Sequence, residues 1–148
     1  MAEWVHYSPP YFDAGQVLVS PVSNPVNSMQ ALEGQALAVE LASTGHLEAK
    51  RWTRRLSSLT IHTTLTPADA LVLLEDGKVA AALVDTVSAR AYVREHPEFV
   101  MAEKTTVAEE YVIAARKADF RMSAEIDRAL ENIAADGTLD ELIARWFE

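Results

Sequence analysis

Cysteine is missing from all 148 residues. Disulfides, thiol nucleophiles and Cys-based zinc sites are thereby excluded, and redox chemistry gives no sign of the compartment. Although 49% of the residues are hydrophobic, no apolar run is long enough to span a bilayer, which points to one soluble domain with a real core. Positive charge is scarce, 13 Lys and Arg against 22 Asp and Glu, for a formal net charge of −9. The basic residues gather tightly only at Lys50, Arg51, Arg54 and Arg55, which read as a solvated helix face. Nucleic acid is not an expected partner, because that affinity needs a basic surface. The opening MAEWVHYSPPYF has neither a basic n-region nor an apolar h-region, so no export signal is expected in this chain.

What is present is an alternation of apolar runs and helical segments. After an irregular, proline-broken opening, residues 16–20 (QVLVS), 36–41 (ALAVEL), 59–63, 79–84 (VAAALV), 99–102 and 111–115 read as strands. Ser28 starts a short helix through Leu32 that Gly34 ends, and a helix from His46 to Leu56 turns Leu47, Ala49, Trp52 and Leu56 to one side. Thr66-Pro67-Ala68-Asp69 opens another helix with a capping hydroxyl, proline at the first position and an early carboxylate, and Gly77 suits its end. A further helix covers 86–95. The tail holds two helices, one preceded by Ser123 and the last opened by the capping box Thr138-Leu139-Asp140-Glu141. The apolar face of that last helix is Leu139, Leu142, Ile143 and Trp146. Strands alternating with helices predict an α/β fold, a central sheet flanked by helices with two C-terminal helices appended.

In such folds ligands collect outside the carboxyl ends of strands, where helix N-termini direct N–H groups and partial positive charge. Ser43-Thr44-Gly45 occupies such a junction and suits a carboxylate or phosphate; equally, Ser43 or Thr44 suits a plain N-cap. Asp85 ends a strand too apolar to need a charge and precedes a helix, so it too reads as a ligand or a cap. Together, an anion socket and a carboxylate fit a zwitterion such as an amino acid. His6, His46, His62 and His96 lack metal-ligand spacing, and no HExxH, GxSxG, P-loop or GxGxxG occurs. No metal or cofactor is implied. Glu109 and Glu110 are a carboxylate pair, but neighbours on a strand point to opposite faces, which disfavours a shared catalytic site.

The segments YSPPYFDAGQVLV, LEGQ, ALAVELASTGH, ADALVLLEDGKVAAALVD, EEYVIAARKAD and DGTLDELIARWF, in that order, resemble the family 3 extracellular solute-binding proteins. These are the amino-acid receptors of ABC importers, and they share a two-lobed type II periplasmic-binding-protein fold with the ligand-binding cores of ionotropic glutamate receptors. The resemblance implies that Ser43, Thr44 and Gly45 receive the α-carboxylate of an amino acid and that Asp85 holds its α-ammonium group. It places Glu40 where a residue selecting the ligand side chain stands, which would favour a basic or polar amino acid. The chain starts at the YSPPY-like motif, so it resembles the second lobe, residues 1–115, plus a C-terminal helical segment, 116–148, that returns to the first lobe in family members. No residue matches the carboxylate-binding arginine of that first lobe. The implied function is non-enzymatic binding of a polar amino acid as the receptor component of an importer, with a membrane permease as partner and a periplasmic or extracellular location. The alternatives are an enzyme like the cyclohexadienyl dehydratases of the same fold, with Glu110 the first acid to test, and a scaffold or fragment that binds nothing. An apolar final helix without its usual cover predicts a homodimer through the C-terminal helices.

Overall fold

The computed structural model describes residues 4–147, and contacts within it gather into two compact units, 14–109 and the remainder, 1–13 with 110–148. In chain order the strands are β1 (Val5–Tyr7), β2 (Phe12–Asp13), β3 (Gln16–Pro21), β4 (Ala36–Glu40), β5 (Thr60–Thr64), β6 (Ala81–Asp85), β7 (Phe99–Met101), β8 (Glu110–Tyr111) and β9 (Ala114–Arg116). The helices are α1 (Thr44–Trp52), α2 (Pro67–Glu75), α3 (Thr86–Glu95), α4 (Phe120–Ala135) and α5 (Thr138–Phe147), with a 3-10 turn at Met29–Leu32.

Unit 14–109 is built on a five-stranded mixed sheet in the order β5-β4-β6-β3-β7. Strands β4, β5 and β6 run parallel, while β3 is antiparallel to both β6 and β7. The central strands are continuous aliphatic runs because helices cover them, and Leu18, Leu37, Val39, Leu83 and Val84 are essentially inaccessible to water. Burying each such side chain contributes about 1.5–3 kcal/mol. The predicted α/β architecture, a central sheet flanked by helices, is therefore the one observed.

Local chemistry sets the helix ends. Thr66 accepts the Asp69 N–H and donates its own hydroxyl to the Asp69 carboxylate, with Pro67 in the first turn. At the other end Gly77, at φ +68°, lets its N–H reach Leu74 O and lets the Lys78 N–H reach Leu73 O, a Schellman closure. Replacing Thr66 by Ala should remove about 1 kcal/mol of stability, read as a lower urea midpoint with an unchanged slope.

Helix α1 begins at Thr44, two residues before the expected start, and the face it buries also differs from the one expected. Gly45 and Ala49 are buried and Trp52 is half-buried, a spacing that defines one side of the helix. Leu47 stands about 200° around from Gly45 and is 58% exposed instead of packed.

In the unit of 1–13 and 110–148, the opening is not wholly irregular, since β1 pairs with β9 and β2 with β8, both antiparallel. The strand expected over 111–115 is split into β8 and β9. Opposite the gap lie Pro9 and Pro10, which have no N–H to donate, and the Ser8 hydroxyl accepts the Ile113 N–H instead. These pairings join β8 and β9 to the opening strands, and the compact units divide at 13/14 and 109/110. Helix α4 starts three residues before Ser123 because Asp119 takes the cap, accepting the Met122 N–H; Ser123 becomes a buried residue of the helix. A hydrogen bond of 3.0 Å between His6 Nε2 on β1 and the Asp127 carboxylate fastens α4 to the ribbon. Leu139, Leu142, Ile143 and Trp146 of α5 line a cavity of about 400 Å³ with Leu130 and Ile133 of α4, and of these Leu142 and Trp146 are exposed.

Candidate functional site

The candidate residues all belong to the unit 14–109. Parallel pairing of β4 with β6, Val39 opposite Leu83, brings the carboxyl ends of the two strands to the same sheet edge. Glu40 ends β4 and Asp85 ends β6; both are half-buried, and each strand passes within a few residues into a helix. The two junctions singled out in the sequence are thus neighbours, as the ends of adjacent parallel strands must be.

At the first junction the chain makes a sharp exit from β4 through Ala42, which adopts φ +66°, a left-handed conformation that disfavours a side chain. Such strain persists only where surrounding bonds fix it. Here the Ala42 N–H donates to His46 Nδ1 at 3.1 Å, and the Ser43 hydroxyl donates to Glu40 O at 2.8 Å. Ser43 Oγ also accepts the His46 N–H at 3.0 Å, so Ser43 is the N-cap of α1. The plain capping role and the ligand role therefore fall on different residues of the triplet: Ser43 is committed to the helix, and Thr44 is the first helical residue.

Thr44 and Gly45 are tied to two residues that the sequence did not single out as site residues, Gln16 and Glu109. The Thr44 hydroxyl donates to Glu109 Oε1 at 3.3 Å, and Gln16 Nε2 donates to Glu109 Oε2 at 2.8 Å. Gln16 is 4% exposed, and a Cβ on Gly45 would stand 2.6 Å from its Oε1. Glycine at 45 is what lets the Gln16 amide lie against the start of α1. Gln16 is also the cross-strand partner of Asp85, so its backbone adjoins one junction while its side chain reaches the other. A buried glutamine opening an otherwise aliphatic strand was the available signal in the sequence; the long-range contact with Glu109 left none.

At the second junction Asp85 caps α3, its carboxylate accepting the Ser88 N–H at 2.9 Å. A carboxylate has two oxygens and about four lone-pair positions, so one capping bond leaves capacity for an ammonium group. The edge can hold opposite charges side by side: N–H groups and a hydroxyl at the start of α1 for an anion, and the Asp85 carboxylate for a cation. Glu110 lies on β8 opposite Asp13 and is exposed, in the other compact unit from these residues. Among the described residues no group of three or more His, Asp or Glu side chains is placed to hold a metal ion, and no helix is long and apolar enough to cross a membrane.

Residues 2–148 match the family model of bacterial extracellular solute-binding proteins, family 3. Among curated proteins, the chain is 25% identical over 144 residues to the ABC transporter glutamine-binding protein GlnH of Bacillus subtilis, covering 97% of this chain and 52% of that protein. It is 23% identical to the arginine-binding extracellular protein ArtP of the same organism, covering 97% and 56%. Among solved structures, an ancestral arginine-binding protein bound to arginine aligns with a TM-score of 0.78 at 31% identity, covering 97% of this chain and 65% of that one. An ancestral cationic amino acid solute-binding protein aligns with a TM-score of 0.83 at 25% identity, covering 99% and 63%. These relatives are binding proteins, and the chain spans about half the length of the curated ones. With the model spanning nearly the whole sequence, the chain belongs to family 3 of the bacterial extracellular solute-binding proteins.

Proposed function

We propose that this chain binds a polar or basic amino acid as the solute-receptor part of an ABC importer. The observation that carries this reading is the adjacency of the two junctions, with Thr44 and Gly45 opening α1 beside Asp85 opening α3 at the ends of parallel strands. In this assignment the Thr44 hydroxyl and the first-turn N–H groups receive the α-carboxylate, and Asp85 receives the α-ammonium group. Ser43 supports them as the cap. Glu40, closing β4, adds negative charge at the same edge and favours a basic side chain on the ligand. Relatives with arginine or glutamine in their names or structures support the same ligand class. The function is binding without chemistry, performed outside the cytoplasm and in partnership with a membrane permease.

Equilibrium dialysis with L-arginine and with agmatine, its analogue lacking the α-carboxylate, tests the assignment. Saturable binding of L-arginine with marked loss for agmatine is expected. Equal binding of both would remove the carboxylate socket from the account, and absence of binding by amino acids generally would remove the receptor reading.

The terminal unit suggests self-association. Trp146 is 68% exposed and Leu142 is 42% exposed, on the helix face whose other members, Leu139 and Ile143, are half-buried and line the same cavity. Contiguous apolar surface of this kind favours a covering partner, and a second copy of the chain joined through α4 and α5 is the proposed one. Light scattering after size exclusion at micromolar concentration should give a dimer mass, which Trp146→Glu should halve; a monomer mass for the unaltered chain contradicts it.

A further inference from the structure

We propose that the Glu109 carboxylate is an internal ligand of the α1 N-terminus, occupying the Thr44 hydroxyl that an incoming carboxylate needs, so that binding at this junction requires its displacement. The inference rests on the proposed receptor reading for its biological meaning, although the contact itself does not depend on that reading.

Helix α1 has no acidic residue in its own first turn, unlike α2, where Asp69 supplies one. A negative group there is favoured by the helix dipole. Glu109 provides it from 65 positions away in sequence. Its two oxygens are held by different donors, Oε1 by the Thr44 hydroxyl at 3.3 Å and Oε2 by Gln16 Nε2 at 2.8 Å. The grip is directional: with its Oε1 against Gly45 and its Nε2 toward the carboxylate, the buried Gln16 amide is oriented as a donor to Glu109.

A threonine hydroxyl carries one proton and donates one hydrogen bond. It cannot serve the carboxylate of Glu109 and that of a ligand together, and two carboxylates at that range repel one another. Ligand binding and the Glu109 contact are therefore alternatives, and Glu109 lowers the affinity of the socket for every carboxylate in equal measure.

The test follows the backbone amide resonances of Thr44 and Gly45 by NMR while sodium acetate, with sodium chloride at matched ionic strength as control, is added to the unaltered chain, Glu109→Ala and Glu109→Gln. Dispersed spectra report that each variant is folded. In Glu109→Ala, saturable acetate-dependent shifts are expected at several-fold lower acetate than in the unaltered chain. Glu109→Gln, neutral but still able to accept from Thr44, should fall between them. An equal response in the unaltered chain and Glu109→Ala, a weaker one in Glu109→Ala, or none in either overturns the proposal. A parallel titration with L-glutamine separates the two claims. If acetate distinguishes the proteins but L-glutamine binds neither, the internal ligand stands and the receptor reading falls. If L-glutamine binds both with the same affinity, the receptor reading stands and the displacement claim falls.

Discussion

Asp85→Asn is expected to lower amino-acid affinity by roughly ten- to a hundredfold while leaving the fold nearly as stable as before. The two effects separate because Asp85 has two tasks. As the cap of α3 it accepts the Ser88 N–H, and asparagine caps a helix about as well as aspartate, so the stability change should stay within a few tenths of a kcal/mol. As the proposed partner of an ammonium group it supplies a full negative charge, and hydrogen bonds to charged groups contribute about 1.5–3 kcal/mol, or one to two decades in Kd. Asp85→Ala should lose both, adding about 1 kcal/mol of destabilisation to the same loss of affinity. Calorimetric titration with L-arginine beside urea unfolding of the three proteins distinguishes the roles. Unchanged affinity in Asp85→Asn would mean that Asp85 is a cap and nothing more.

The second large effect is expected at Gly45, where Gly45→Ala should destabilise the chain by about 1–3 kcal/mol. The sign is not obvious. Gly45 lies in a helix, and alanine there is ordinarily better by up to about 1 kcal/mol. Against that gain, the new methyl would stand 2.6 Å from Gln16 Oε1 and 3.3 Å from Leu83 Cγ. A side-chain end can usually swing away, but Gln16 is buried and tied to Glu109, and Leu83 belongs to the core of the sheet. Steric conflict should therefore win. Urea unfolding gives the magnitude, and an increase in stability would show that Gln16 repacks freely and does not hold the junction.

These two sites show what was legible in the sequence and what was not. Local signals read well. Thr66, Pro67 and Gly77 act within one or two turns of their own positions, so the ends of α2 follow from chemistry visible in a short window. The aliphatic runs of β3, β4 and β6 announce strands covered on both faces, and the junctions at Ser43 and Asp85 follow from where those runs stop. Strands β1 and β2 and their pairing with β9 and β8 were hidden, because prolines interrupt the pattern and the paired strands lie about a hundred residues apart. The start of α1 was missed by two residues because a glycine and a β-branched threonine are poor helix formers on their own. Ser43 capping and burial of Gly45 against the sheet override that preference, and Leu47, two residues from both Gly45 and Ala49, lies about 200° around the helix from the buried side. The contact between Gln16 and Glu109 was beyond reach for another reason: a hydrogen bond between residues 93 positions apart has no local signature. The residues proposed to touch a ligand were visible because strand ends announce them; the residues that arrange them were not.

The central claim is that the paired junctions of β4 and β6 form an amino-acid site. Its most direct measurement is a thermal-unfolding scan of the unaltered chain against each of the twenty amino acids at millimolar concentration. A ligand that binds only the folded state raises stability by RT ln(1 + [L]/Kd), about 2.7 kcal/mol at a hundredfold excess over Kd. A selective rise with polar or basic amino acids is expected, and a clearly smaller rise with each of them in Asp85→Asn. No shift with any of the twenty, or an equal shift in Asp85→Asn, would contradict it.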